Sequence, residues 1–326
     1  MQANTMKAII LDHKNNLNLH HVPLPVRKTG ECLIKVSKAG ICNTDLEIIK
    51  GYMKFHGILG HEFVGEVICA DSTDLIGKRV VGEINIGCGD CFWCKRDRKE
   101  HCPNRSVLGI FNKDGCFAHY ITLPEKNCFL LPDSISDEQA VFIEPLAAGL
   151  RIIHQIDIHP ESNAAILGDG KLGLIIAMIF TALGIMPITL FGHHKNKMDI
   201  VSSPLIKKQN NIDSVDHQKY DYVIEATGSK KGFEDALNLV KPEGIVVLKS
   251  TISDLSDFNL APIVINEITI IGSRCGHFQP AIKFLQTHNI PLEKMISKTY
   301  HIDRWQDAFL NANDGSNVKV ILTFEQ

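Results

Sequence analysis

The chain has 326 residues, 44% of them hydrophobic and 22% charged, with a net charge of −3. That length exceeds what one hydrophobic core usually organises, so two domains are expected. Ordinary composition and dispersed Lys and Arg argue against a nucleic-acid or anionic-membrane partner, and small neutral or modestly charged molecules are expected instead. The opening MQANTMKAII lacks the basic start, apolar stretch and cleavage site of a signal peptide, and the apolar run beginning at Leu172 is too short to span a bilayer. Ten cysteines in such a chain predict a reducing, cytoplasmic setting where thiolates serve metals.

From Lys7 to about Phe142 the short β-like runs AIIL, ECLIKVSKAG, EFVGEVICA, KRVVGEI and FAHYITL are punctuated by Gly, Pro and Asp. They predict a β-rich, barrel-like first domain. Inside it, CGDCFWCKRDRKEHC sets Cys88, Cys91, Cys94 and Cys102 at the spacing C-x2-C-x2-C-x7-C. Four thiolates fill a tetrahedral zinc shell and leave no position for substrate, so residues 86–105 read as a structural zinc lobe. Disulfide-linked cysteines and an iron–sulfur cluster are the alternatives. The lack of a secretory signal weighs against the first, and the lack of a C-x2-C-x2-C-x3-C-P run against the second. The local KRDRKEH raises a zinc-ribbon nucleic-acid module, which the negative net charge and missing stacking aromatics oppose. Cys32, Cys69, Cys116, Cys128 and Cys275 fall in or beside apolar runs and read as packing residues.

After Glu144 the texture changes. NAAIL is a short apolar strand, GDGKLG follows, and LGLIIAMIFTAL is a helix ending near Gly184. Strand-like PITLF, YDYVIEA, GIVVLKS and EITIIGS then alternate with helix-like or polar segments, which predicts a parallel sheet covered on both faces. Gly168, Gly170 and Gly173 form a G-x-G-x-x-G between strand and helix, a cradle for a dinucleotide pyrophosphate that includes Lys171 and Leu172. The next strand ends in Phe191, Gly192, His193, His194 and Lys195, with Lys197 close behind and no carboxylate among them. A carboxylate there would select NAD, so NADP is favoured; a solvated basic turn that tolerates NAD is the alternative. A helical AIKFLQ, a second helix at WQDAFLNAN and a final strand VKVILTF form a tail expected to return to the first domain.

Taken in order, GIC-x-TD at Gly40–Asp45, GHE at Gly60–Glu62, the four-cysteine lobe, the EPLA that starts at Glu144, GDGKLG, EATGS at Glu225–Ser229 and GS-x-CG at Gly272–Gly276 resemble the zinc-containing alcohol dehydrogenases of the medium-chain dehydrogenase/reductase superfamily. The resemblance implies an α/β chain: a GroES-like catalytic domain over 1–145, completed by 276–326, and a Rossmann doubly wound domain over 146–275. It implies a hydride transfer between NAD(P) and an alcohol, polyol or sugar-like substrate, with two zinc ions per chain and Thr227 on the cofactor. A homodimer or homotetramer, paired through the EITIIGS edge, is implied too. A catalytic zinc needs three protein ligands of mixed S, N and O character and one open position. Cys42 supplies sulfur and His61 nitrogen. Glu62 and Glu144 are both candidates for oxygen, and a glutamate at 144 where other alcohol dehydrogenases place cysteine resembles the polyol and threonine dehydrogenase branch. Family resemblance makes Thr44 the hydroxyl that passes the alcohol proton on. The relay histidine three residues later is Glu47 here, so Glu47 or water takes the proton. A zinc-independent reductase and a non-catalytic member of the same fold are the remaining alternatives.

Overall fold

The β-like runs become strands because their β-branched residues fit a pleated surface with one face buried. In the computed structural model, which describes residues 5–159, 161–185, 187–210, 212, 217–251 and 259–325, the first strands are β1 (Thr5–Leu11), β2 (Leu17–Pro23) and β3 (Glu31–Ile41). Helix α1 (Asn43–Ile49) follows, then β4 (Gly57–Ile58), β5 (Glu62–Cys69), β6 (Arg79–Gly82) and the short pair β7 (Asn85–Ile86) and β8 (Ser106–Val107). Next come β9 (Tyr120–Pro124), β10 (Cys128–Leu130), α2 (Asp137–Ala140) and α3 (Ile143–Leu150).

The parallel-sheet region holds β11 (Ala164–Leu167), α4 (Lys171–Ala182), β12 (Ile188–Phe191), α5 (Lys195–Met198) and β13 (Ile206–Gln209). It continues with β14 (Tyr220–Glu225), α6 (Lys230–Leu239), β15 (Val240–Leu248), α7 (Ala261–Ile265), β16 (Thr269–Gly272) and α8 (Phe278–Thr287). The chain closes with β17 (Ile296–His301), α9 (Trp305–Asn313) and β18 (Lys319–Thr323). Strands β2 and β13 escape the sequence pattern because LNLHHVP and IKKQ are half polar and partly exposed.

The chain divides into two compact units, Met1–Glu144 with Ile296–Gln326, and Pro145–Met295. The tail segment 276–295 therefore packs with the second unit, where α8 buries Phe278, Ala281, Ile282 and Phe284. Gly276 sits so close to the Ala147 carbonyl that a side chain there would overlap it, which ties the start of this segment to its own unit.

In the first unit β3 is central: the order is β10-β6-β5-β3-β18-β17, with β9 also on β3. β3 runs antiparallel to β5, β9 and β18. Gly40 lies opposite Glu62 on one side, and Ile41 opposite Val320 on the other. Cys42, Glu62 and Lys319 consequently meet at one end of three neighbouring strands. In the second unit the six strands among the described residues are all parallel, in the order β13-β12-β11-β14-β15-β16. This is a Rossmann order, which binds ligands beyond the carboxyl ends of the strands where the order reverses. Ala165 and Leu167 pack with Val223, Phe233, Ala236 and Leu237, while Ile166 between them is equally buried and faces the other way. Burial on both faces explains the near-continuous apolar strands, each such Leu, Ile or Phe contributing roughly 1.5–3 kcal/mol.

Candidate active site

Chain direction sets the first part of the site. β3 ends at Ile41, and Cys42 caps α1 from extended backbone. Three residues on, Asp45 is fully buried; its Oδ2 accepts the Cys42 N–H at 2.8 Å. Its other oxygen, Oδ1, lies 3.2 Å from His61 Nδ1, close enough for an ion pair though not aligned for a hydrogen bond. One carboxylate thus holds the backbone of Cys42 and the ring of His61 together. Donor atoms of Cys42, His61 and Glu62 lie within 4.8 Å of one another. Burial disfavours a charged imidazole, but Asp45 and the Cys42 sulfur outweigh it and raise His61 well above its ordinary value. A sulfur, a nitrogen and an oxygen converging where half-buried Cys42 meets buried His61 and Glu62 form the mixed donor set that suits a catalytic zinc.

Glu62 is held from behind. Its Oε2 forms an ion pair with Lys319 Nζ, and both side chains are excluded from solvent. The ammonium also lies 5.3 Å from the centre of the Phe142 ring, within cation–π reach. A Cβ on Gly40 would fall 2.6 Å from Glu62 Oε2 and 3.1 Å from Lys319 Nζ, so the pair occupies the space that a larger residue on β3 would fill. Thr44 Oγ1 is 3.7 Å from Cys42 Sγ, beside the cluster. Glu47, one turn further, pairs with Lys50 at 2.9 Å on the exposed side of α1.

The second cluster is built in one loop. The sulfurs of Cys88, Cys91, Cys94 and Cys102 lie within 4.8 Å of one another, with 3.5 Å between Cys102 and Cys88. Backbone N–H groups point at the sulfurs, Cys88 N to Cys102 at 3.4 Å and Cys94 N to Cys91 at 3.5 Å. The first of these bonds helps pull the Cys102 thiol down to about 7. Asn127 pins the root of the loop by donating to the carbonyls of Glu83 and Asn85 at 2.8 and 2.9 Å. Four like donors leave no open position, in keeping with a structural metal.

In the second unit, the dinucleotide fingerprint follows β11 and opens the twelve-residue α4. Gly168 has φ +114°, and a Cβ on it would lie 2.7 Å from the Ala226 carbonyl, so the turn requires glycine. Gly170 caps α4, Lys171 and Leu172 form its first turn, and Gly173 packs against the Gly168 carbonyl. Gly192, His193 and His194 follow β12; Lys197 lies in α5 and is buried. Thr227 follows β14, where the buried Glu225 Oε1 accepts from its N–H at 2.6 Å and from its hydroxyl at 2.5 Å. The three segments follow the carboxyl ends of adjacent strands β12, β11 and β14.

The family model of the alcohol dehydrogenase GroES-like domain matches residues 28–133, and that of the glucose dehydrogenase C-terminus matches residues 138–324, more than half the chain. The chain belongs to the medium-chain dehydrogenase/reductase superfamily. It is an oxidoreductase of the alcohol dehydrogenase type, in the polyol dehydrogenase-like branch. D-arabitol-phosphate dehydrogenase of Enterococcus avium is 29% identical, covering 92% of this chain and 91% of that protein. Sorbitol dehydrogenase of Bacillus subtilis is 28% identical over 94% of this chain and 93% of its own. The structure of a candidate zinc-binding dehydrogenase of Sinorhizobium meliloti 1021 bound to NADP is 27% identical, covers 98% of this chain and 99% of its own, and superposes with a TM-score of 0.89.

For this medium-chain dehydrogenase, sequence reasoning singled out four candidate ligands of the open site. The structure gathers Cys42, His61 and Glu62; Glu144, which opens α3, is not among the donors that lie within 4.8 Å of one another. Asp45 and Lys319 were missed. Asp45 carried a signal, since a carboxylate three residues after a helix cap commonly reaches back to it. Lys319 stands in an apolar strand, VKVILTF, where a lysine ordinarily points outward. One packing assignment is corrected: Cys69 ends β5 beyond a register shift opposite Leu33 and Ile34, where the inward–outward alternation breaks, and it is exposed.

Proposed function

We propose that this dehydrogenase oxidises a polyol or a phosphorylated polyol, and reduces the matching ketose, with a catalytic zinc held by Cys42, His61 and Glu62. The observation that carries the proposal is the S, N and O cluster of half-buried Cys42 with buried His61 and Glu62, backed on two sides by Asp45 and Lys319. With Asp45 against Nδ1, Nε2 of His61 is the nitrogen left for metal. When bound, zinc supplies the Lewis acidity that lowers a hydroxyl pKa towards neutrality, and the dinucleotide supplies the hydride acceptor. Thr44 takes the substrate hydroxyl proton from its place beside Cys42. Because Glu47 is paired with Lys50 on the exposed side of the helix, water carries the proton onward. The four-cysteine lobe holds a second, structural zinc. Gly168, Gly170, Lys171, Leu172, Gly173 and Thr227 hold the dinucleotide, with Gly192, His193, His194 and Lys197 at its ribose.

The subunit is read as a homodimer. β16 is the edge of its sheet, and the exposed Leu260, Val264 and Ile265 lie in and beside the neighbouring α7; light scattering of purified protein checks the mass. Among the described residues no helix is long and apolar enough to cross a membrane, and the metal-serving thiols support a reducing, cytoplasmic setting. A screen of hexitols, pentitols, their monophosphates and simple alcohols, followed through reduced-nicotinamide absorbance, tests the substrate class. Turnover of simple monohydric alcohols with none of the polyols would overturn it.

A further inference from the structure

The ribose end of the nucleotide cradle contains a carboxylate that the order of residues conceals. Within 190–197 there is none, which is the basis for expecting NADP. Asp169, from the turn between β11 and α4, reaches across to this segment. Its Oδ2 accepts the His194 backbone N–H at 2.5 Å and lies 3.0 Å from His194 Nδ1. Gly192 makes the crossing possible: a Cβ there would fall 2.4 Å from Asp169 Cβ and 2.7 Å from Asp169 Oδ2. Gly192 lies about 20 residues beyond the fingerprint, the interval at which an NAD-selecting acid ordinarily stands. Here the carboxylate comes from the glycine-rich turn, and a glycine stands at the strand end.

Asp169 is buried, and among the described residues the hydrogen bonds it accepts fall on Oδ2, so Oδ1 is left to accept from a ligand. Burial works against its charge, but the two bonds from His194 and the nearby Lys197 outweigh it and lower its pKa.

We propose that Asp169, positioned by His194 and admitted by Gly192, is the specificity-determining residue for the adenosine ribose, accepting its 2′-hydroxyl and repelling a 2′-phosphate, so that the enzyme uses NAD(H). The proposal rests on the dinucleotide reading of the second unit and deepens it. It reverses the NADP expectation, which took account only of residues consecutive with β12.

Nicotinamide fluorescence titration of the purified protein with NADH and with NADPH, without substrate, tests it. The wild type is expected to bind NADH about tenfold or more tighter than NADPH, since juxtaposed like charges are strongly disfavoured. Asp169→Asn keeps an oxygen for the His194 N–H and removes the charge. It is expected to weaken NADH binding and strengthen NADPH binding, shrinking the ratio about tenfold. NADPH bound as tightly as NADH by the wild type overturns the proposal whatever the variant does, and so does a folded Asp169→Asn with an unchanged ratio. Failure of the wild type to bind either nucleotide overturns the dinucleotide reading itself, a result distinct from binding both without preference.

Discussion

The two cysteine-bearing clusters of the first unit are opposites in construction. The lobe draws four identical donors from fifteen consecutive residues and needs only a pinned loop. The other cluster draws three unlike donors from the end of β3 and the start of β5, and depends on Asp45 in α1 and Lys319 in β18 to hold them. Local, uniform coordination makes a rivet. Dispersed, mixed coordination with charged supports makes a site whose geometry and net charge the fold controls, as catalysis by a metal demands.

The largest effect that tests this contrast is exchange of one cysteine in each cluster. Cys42→Ala is expected to remove one zinc per chain and abolish turnover while thermal stability changes little. Cys94→Ala is expected to remove the other zinc and lower the melting temperature, with turnover per folded chain retained. Elemental analysis, calorimetry and assay of the same preparations separate the outcomes, and loss of activity in a normally folded Cys94→Ala would erase the distinction. Next in size is Lys319→Met, which strands a buried carboxylate and is expected to cost about 3–5 kcal/mol in urea unfolding. Glu62→Gln added to Lys319→Met is expected to restore most of that loss but not zinc affinity at the open site. Smaller again, Asp45→Asn is expected to weaken zinc at Cys42 and His61 by roughly 10–100-fold in a chelator competition and to leave the lobe zinc untouched.

The same contrast explains what could be read without a structure. The grouping of the four cysteines was legible, because they stand within fifteen consecutive residues. So were the strand and helix alternation of the second unit and the glycine turn, whose signals are periodic and local. Cys42 and His61 were recoverable through their motifs. Lys319 and Asp169 were not assigned roles because each acts on a partner that only strand pairing or a loop crossing brings near; Asp45 has a local capping signal at Cys42, but its place against His61 also depends on strand pairing. Lys319 and Glu62 are 257 positions apart, and nothing in a β-strand's period marks a lysine as inward when both faces of the strand are buried. Asp169 lay inside a recognised motif, but its side chain serves the neighbouring strand's loop.

The separation of Glu62 from Lys319 also sets an order of events during synthesis. β3 and β5 leave the ribosome early, whereas β18, which lies against β3, is made only after the whole second unit. At about 5–20 residues per second, Glu62 waits roughly 10–50 s for its ammonium partner. During that interval the Glu62 carboxylate cannot be buried as an ion pair with Lys319. The sheet of the first unit gains β18 only once the second unit has been made.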